Sequence, residues 1–415
     1  MKHCIVITLL AALVIACGDG GESSVTPDIP VGELPSTDVL TAHTEIVPLP
    51  PPVAAAEVLA PGPFGVGEIL LELEDATRST PPNGSFEGSE TRFLSTIVWY
   101  PTAPGPGDRL DPVEDAAPAA DGGPWPLVVY NHGFSSRNDE NSKLAVYLAS
   151  RGFVVAAPDF PLTNIFAPGK PTAVDMINQP GDVRFIMDHL TGDHPDADHP
   201  LLGQIDSERI GLVGVSLGAM TALAVTFHPE MRDPRVRATV AAAPPGCYLA
   251  DEIYDTVEVP LLILHGTGDA ILTYPENGSP TWERANPPKY FLTLEGGTHT
   301  SMAGLAMPLM EVLGNTDDVG CETMADNPSL DPEALAEMSS EFGGVDYATV
   351  MDQCPAPCTV TITEPMMDAH RQLKLVQRST IAFLVARLQG DDSYEAYLRE
   401  GLVGDTEDVT LVFAP

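Results

Sequence analysis

Residues 209–225 read R-I-G-L-V-G-V-S-L-G-A-M-T-A-L-A-V: an apolar strand, a Gly-x-Ser-x-Gly turn and an apolar helix. A short apolar run closed by glycine has the pattern of a buried strand, and the Ala/Leu/Met-rich run after it has the composition of a helix. A serine at such a strand-to-helix turn stands above the sheet with its Oγ exposed, and only neighbours as small as Gly214 and Gly218 let the chain turn that tightly. Ser216 is therefore the candidate nucleophile.

A serine hydroxyl is a weak nucleophile until an imidazole takes its proton, and that imidazole must be oriented by a carboxylate. After a turn of this kind the acid and then the histidine follow in chain order, each on a loop after a strand. V-P-L-L-I-L-H-G-T-G-D-A-I at 259–271 is an apolar strand whose Gly-rich loop carries Asp269, and K-Y-F-L-T-L-E-G-G-T-H-T at 289–300 carries His299 in the same way. Asp251 and Asp255 are the fallback acids, worse placed because no strand leads into them. Acyl transfer also needs two fixed N–H donors for an oxyanion. Leu217, directly after the serine, offers one; W-P-L-V-V-Y-N-H-G-F-S-S at 125–136 offers His132, Gly133 and Phe134, of which Phe134 is the choice and His132 is read as support for the turn.

From about Val66 onward the chain resembles the dienelactone-hydrolase-like and platelet-activating-factor-acetylhydrolase-like branch of the α/β-hydrolase superfamily. The pieces that carry the resemblance run in order: D-A-T-R-S-T at Asp75, T-I-V-W-Y-P-T at Thr96, N-H-G-F at Asn131, G-D-V-R-F-I-M-D-H-L at Gly181, the turn at Ser216, H-G-T-G-D at His265, G-G-T-H at Gly296 and S-T-I-A-F-L-V-A-R-L at Ser379. True dienelactone hydrolases carry cysteine at the turn, so Ser216 argues against that narrow activity. The N-H-G-F loop and the D-A-I after Asp269 are also similar to bacterial cutinases and polyester hydrolases, which have an open cleft. The resemblance implies an α/β fold with a mostly parallel, eight-stranded sheet and helices on both faces. Strands are expected near 66–74, 92–100, 126–131, 152–157, 209–215, 236–243, 260–265 and 289–294, and apolar residues at helical spacing place packing helices at Met176–Leu190 and Ile381–Leu388.

The chain departs from a compact hydrolase over 301–365, an insertion that contains the capped-helix pattern D-P-E-A-L-A-E-M together with Cys321, Cys354 and Cys358. Leaving directly after His299, it is placed to cover the site as a lid that sets substrate size and excludes water; the competing expectation is a peripheral embellishment. Residues 101–126 are read as a surface loop, and 63–415 as one domain with the insertion as its cap.

Residues 1–16 have a short polar start and then an apolar run, Ile5 to Ala16, far short of the about 20 residues that span a bilayer. This is the pattern of a signal peptide, and L-V-I-A-C resembles a bacterial lipobox, which makes Cys17 the expected lipid anchor, with plain secretory cleavage after Ala16 as the alternative. Gly18 stands after the cysteine in place of the Asp that resembles an inner-membrane retention signal, so the outer membrane or cell surface is the expected destination for a Gram-negative source, and secretion otherwise. Residues 17–62, rich in Pro and acid, are expected to be an extended tether.

The chain has 59 acidic and 20 basic residues, a formal net charge of −39, which disfavours nucleic acid as a partner. D-H-P-D-A-D-H-P at Asp193 lacks the glycine-containing loop of a calcium-binding EF-hand and is read as a solvated loop; zinc held by His194 and His199 is a weaker alternative. The triad chemistry requires no metal and no cofactor. Cys4 leaves with the signal, so Cys247, Cys321, Cys354 and Cys358 remain as disulfide candidates with three possible pairings. C-P-A-P-C has one residue too many between its sulfurs for a thioredoxin-like motif. The expectation is an exported, lipid-anchored serine hydrolase acting on a small-molecule or lipid carboxylic ester through an acyl-enzyme, touching the membrane only through its lipid. Alternatives are a lipase or phospholipid acetylhydrolase, a polyester hydrolase, a peptidase, and a non-catalytic surface binding lipoprotein. Oligomeric state is left open.

Overall fold

Runs such as Leu127-Val128-Val129 and Ile210 to Val215 are buried residue after residue, as happens when a strand is covered on both faces. The computed structural model describes residues 48–104, 110–255, 257–304, 316–325, 327–362, 366–404 and 406–415. The expected signal peptide, Cys17 and most of the expected tether lie outside these.

The strands are β1 (Gly65–Asp75), β2 (Arg92–Thr102), β3 (Val113–Glu114), β4 (Trp125–Asn131), β5 (Val154–Pro158), β6 (Ile205–Val215), β7 (Val236–Ala242), β8 (Leu261–Gly266), β9 (Lys289–Leu294) and β10 (Val409–Ala414). Among the described residues they form one ten-stranded sheet in the order β10-β9-β8-β7-β6-β4-β5-β2-β1-β3. The stretch from β5 to β9 is parallel. β1, β2 and β10 join antiparallel. All eight expected strands are present; β3 and β10 are additions to the eight-stranded expectation. β3 lies inside the stretch read as a surface loop: it pairs for two residues with β1, and both its side chains are exposed, so it leaves no apolar pattern.

Among the helices are α1 (Ala55–Val58), α2 (Ser142–Ala149), α3 (Gln179–Thr191), α4 (Leu217–Phe227), α5 (Tyr274–Arg284), α6 (Asp317–Met324), α7 (Pro332–Glu341), α8 (Tyr347–Gln353) and α9 (Ala369–Leu384). Side-chain alternation divides the sheet into two cores. Val128, Tyr130, Val213, Val215 and Leu264 face α2 and α9, whereas Leu127, Val129, Ile210 and Leu212 face the side of α3 and α4. Every residue of α4 is buried, as expected of a helix apolar all round. Arg92 of β2 ties the start of α3 to the sheet, donating to Asp182 at 2.6 and 2.8 Å and to Asp175 at 3.0 and 3.1 Å, all three fully buried. The expected helix at Met176–Leu190 is a 3₁₀ turn, Ala173–Asn178, followed by α3, and that at Ile381–Leu388 is the end of α9 with its π-helical continuation.

Residues 48–62, read as the end of a tether, are docked on the body. Val58 of α1 is fully buried, and the Arg151 guanidinium donates to the carbonyls of Glu57, Val58 and Ala60. This anchorage runs through main-chain oxygens, to which side-chain patterning is blind.

Past residue 316 the insertion lies over α4. Leu335, Ala336, Met338, Phe342 and Val350 share one buried cluster with Leu217, Met220, Leu223 and Tyr248. The Tyr248 carbonyl accepts from Ser339 Oγ at 2.9 Å, and Ser329 Oγ accepts from the Ala173 amide at 2.9 Å. The four cysteines pair as Cys247–Cys354, joining the loop after β7 to the insertion, and Cys321–Cys358 within it. The expected capped helix is α7, with Asp331 at its N-cap position and Pro332 in its first turn; the Asp331 side chain makes no capping bond.

Candidate active site

In an open α/β sheet ligands bind outside the carboxyl ends of the strands where the order reverses. Here that place lies between β4 and its neighbours β5 and β6. Ser216 follows β6 there with φ 56° and ψ −121°, a conformation costly for a residue with a Cβ. The turn closes this tightly because a Cβ on Gly214 would sit 2.1 Å from the Gly218 carbonyl oxygen, and one on Gly218 2.1 Å from that of Asn131. The glycines thus press the first turn of α4 against the loop after β4. The Ser216 amide is spent on Ala242 O at 2.8 Å.

Asp269 leaves β8 fully buried, and its carboxylate is saturated. Oδ1 accepts from the amides of Ile271 (3.0 Å) and Leu272 (2.7 Å), and Oδ2 accepts from His299 Nδ1 at 2.7 Å. Burial alone would raise this carboxyl, but the facing His299 and His265 rings and the bonds they make outweigh it and hold the group well below its ordinary range. The bond assigns the His299 proton to Nδ1, which leaves Nε2 free to take another. Burial pulls the His299 pKa down; the adjacent Asp269, aided by Asp317 and Glu140, more than offsets this, so the ring holds its proton more firmly than an ordinary histidine. The structure brings Asp269 to His299, whereas Asp251 pairs with Arg284 on the surface at 2.8 Å and Asp255 is exposed elsewhere. Among the described residues no hydrogen bond links Ser216 Oγ to His299. Such bonds are often long before substrate arrives.

The amides of Phe134 and Leu217 have no protein acceptor among the described residues, whereas that of Gly133 donates to Glu140 Oε2 at 3.0 Å. This separates Phe134 from Gly133 as an anion donor. His132 is buried, with Nε2 accepting from Phe160 N at 3.1 Å and Nδ1 donating to Gly133 O at 2.7 Å. Burial pushes its pKa down to about 4, so it is a neutral strut of the loop.

Sequence reading missed several residues around this site. Glu140, in the polar run N-D-E-N, is buried, and burial pushes its carboxyl up to about 7. His265 places Nε2 3.3 Å from Asp269 and 2.8 Å from Leu272 O. Gln372 of α9 clasps Thr298, accepting from its amide at 2.8 Å and donating to its carbonyl at 2.6 Å. Only the H of H-G-T-G-D carried a signal in the sequence, through its place in the motif.

A cavity of about 50 Å³ adjoins Ser216, walled by Phe134, Met220 and Ile271 and roofed by Met324, Leu330, Leu335 and Met338 of the insertion. A larger groove of about 500 Å³, lined by Arg232, Asp233, Arg237, Asp255 and Glu258, lies at the amino ends of β7 and β8, away from these groups. Among the described residues no group of three or more His, Cys, Asp or Glu is placed to hold a metal, and His194 and His199 each spend Nδ1 on a backbone amide, of Asp196 and Leu201.

Residues 116–311 match the family model described as PET hydrolase-like (PETase). A Bacillus subtilis protein named "Putative esterase YitV" is 29% identical over 107 residues, 24% of this chain and 38% of that protein. The chain therefore spans little more than a third of that relative's length. A ferulic acid esterase from Streptomyces cinnamoneus is similar in structure, with TM-score 0.51 and 21% identity over 79% of this chain and 91% of that one. The sheet order, the strand, turn and helix about Ser216 and this likeness establish that the chain has the α/β-hydrolase fold.

Proposed function

We propose that the protein is a serine carboxylic-ester hydrolase. The observation that carries the reading is the Asp269–His299 pair at the sheet end where the tight turn presents Ser216 beside two amides with no protein acceptor among the described residues. In this reading Ser216 Oγ attacks the ester carbonyl as its proton passes to His299 Nε2, and the amides of Phe134 and Leu217 hold the oxyanion. The C–O bond to the alcohol breaks, the alcohol leaves with that proton, and an acyl-enzyme remains. Water then gives a proton to His299 and attacks the acyl carbon, releasing the carboxylic acid and restoring Ser216. His299 must be neutral to start, and its pKa is raised, so kcat/KM should fall on the acid side with a midpoint above the ordinary value of about 6.5. A profile flat from about pH 5 to 9 would remove His299 as the base.

The insertion acts here as a lid, and the cavity beneath it supports a short acyl group. A cavity of about 150 Å³ accommodates benzene; the 50 Å³ beside Ser216 is a third of that and apolar in its walls. With the purified protein and p-nitrophenyl esters from acetate to palmitate, kcat/KM should peak between acetate and butyrate and drop about tenfold or more by octanoate. The match of 116–311 to the PET hydrolase-like model favours a second reading, a polyester hydrolase, which requires the insertion to move aside. An optimum at long chains, or release of acid from a polyester film, would favour it. Export and anchoring through Cys17 complete the proposal; two disulfides suit an oxidising compartment. Labelling with a radioactive fatty acid, lost in Cys17→Ala, tests the anchor.

A further inference from the structure

Asp317 opens α6 in the insertion, yet its carboxylate is fully buried beneath the two loops that carry Asp269 and His299. Oδ2 accepts from the amides of Ala270 and His299, both at 3.0 Å, and Oδ1 accepts from that of Thr300 at 2.7 Å. One carboxylate thus holds the residue after the acid, the histidine itself and the residue after it. Ionised acceptors make the stronger class of hydrogen bond, so these bonds fix the spacing of the loops across which Asp269 and His299 meet.

Two further features show that this face of α6 is shaped for the contact. Thr316, just before Asp317, bonds through Oγ1 to Thr298 Oγ1 at 2.7 Å and Ser301 Oγ at 3.1 Å, on either side of His299. Gly320, one turn further, faces Ile271 and Thr300: a Cβ there would lie 2.7 Å from Ile271 Cδ1 and 2.9 Å from Thr300 Oγ1. Glycine lets the helix approach closely enough for Asp317 to reach three amides.

We propose that Asp317 is a positioning residue that makes the acid–base pair competent only when the insertion is seated. This rests on the ester-hydrolase reading above. The groups facing the His299 ring are Asp269, bonded to it, Asp317 from α6 and Glu140 from the loop after β4, while His265 faces Asp269 from β8. Burial and the Asp269 charge push the Asp317 carboxyl above its ordinary range, while His299 and the amides of Thr300 and Ala270 favour its charged form; ionised, it supplies one of the negative charges that favour the imidazolium formed during attack, besides holding the loops.

The test uses the full chain and three readouts. Asp317→Asn keeps the size but removes the charge and at least one acceptor. We expect kcat on p-nitrophenyl acetate to fall about tenfold to a hundredfold with KM little changed, and the acid limb of kcat/KM to move down by on the order of one pH unit as His299 loses a negative neighbour. Asp317→Glu, which keeps the charge and displaces it, should lower kcat and leave the limb in place; if the Asn variant fails to fold, this variant decides. A lower melting temperature with kcat and pH profile unchanged would reduce Asp317 to an anchor of the insertion and overturn the proposal. Titration of the His299 ring by NMR in parent and Asn variant reads the same shift without turnover. Loss of the esterase reading would thus appear as an inactive parent, and loss of the present proposal as an unmoved His299 titration.

Discussion

Ser216→Ala should lower kcat on p-nitrophenyl acetate by as much as ~10⁶ while leaving the fold and melting temperature close to those of the parent. The side chain removed is the one proposed to form the acyl bond, and alanine tolerates the strained turn no worse than serine does, since both carry a single Cβ at φ 56°. A residual rate above that of water should persist, because the proposed oxyanion donors, the amides of Phe134 and Leu217, which have no protein acceptor among the described residues, remain to polarise a bound carbonyl. Substantial turnover in the variant would place the chemistry elsewhere. Acyl-enzyme trapping with a slow ester followed by mass measurement offers an independent check, with the added mass carried by the peptide containing Ser216 in the parent and absent in the variant.

Asp269→Asn should cost ~10⁴ in kcat. The local bonding explains why such a small change is severe. Oδ1 is committed to two amide donors, Ile271 and Leu272, and an amide NH₂ cannot take their place as acceptor. The asparagine oxygen must therefore stay at the Oδ1 position, which turns its NH₂ toward His299. A donor facing Nδ1 forces the imidazole proton onto Nε2, the atom proposed to accept the proton of Ser216. The loss is one of tautomer, so it should shrink at high pH, where Ser216 itself ionises more readily, and NMR should find the His299 ring proton on Nε2. Full activity in this variant would move the acid elsewhere.

The candidate site was legible in the sequence to the extent that each of its groups ends a strand. Ser216, Asp269 and His299 each follow an apolar run closed by glycine, and runs of that kind are local signals. Asp317 has no such signal: T-D-D-V-G looks like any helix start, and its role depends on three amides that lie 17, 18 and 47 residues away. Glu140 resembles a surface acid for the same reason, since what buries it is the loop folding over it. β10 was missed although V-T-L-V-F-A alternates in part, because its register is supplied by β9, more than a hundred residues earlier. Residues 48–62 contain no periodicity to read, and their docking is a matter of Arg151 meeting carbonyls. The disulfide pairing was beyond the sequence because four cysteines are chemically equivalent until the fold brings pairs of them together.

That pairing has a consequence for biogenesis. Along the chain the bridged cysteines occur as 247, 321, 354 and 358, and the bridges join first to third and second to fourth. On the proposed export route, a chain crossing a membrane amino end first presents Cys247 and Cys321 to oxidants before either true partner has arrived. Pairing in order of arrival would knot the roof of the cavity to the wrong wall and leave Cys354 and Cys358 to close a tiny ring. The native crossed connectivity therefore demands that the insertion find its seat before the sulfurs are oxidised, or that a thiol catalyst reshuffle them afterwards. A host chosen to make this protein in quantity should be judged on that catalyst as much as on its export machinery.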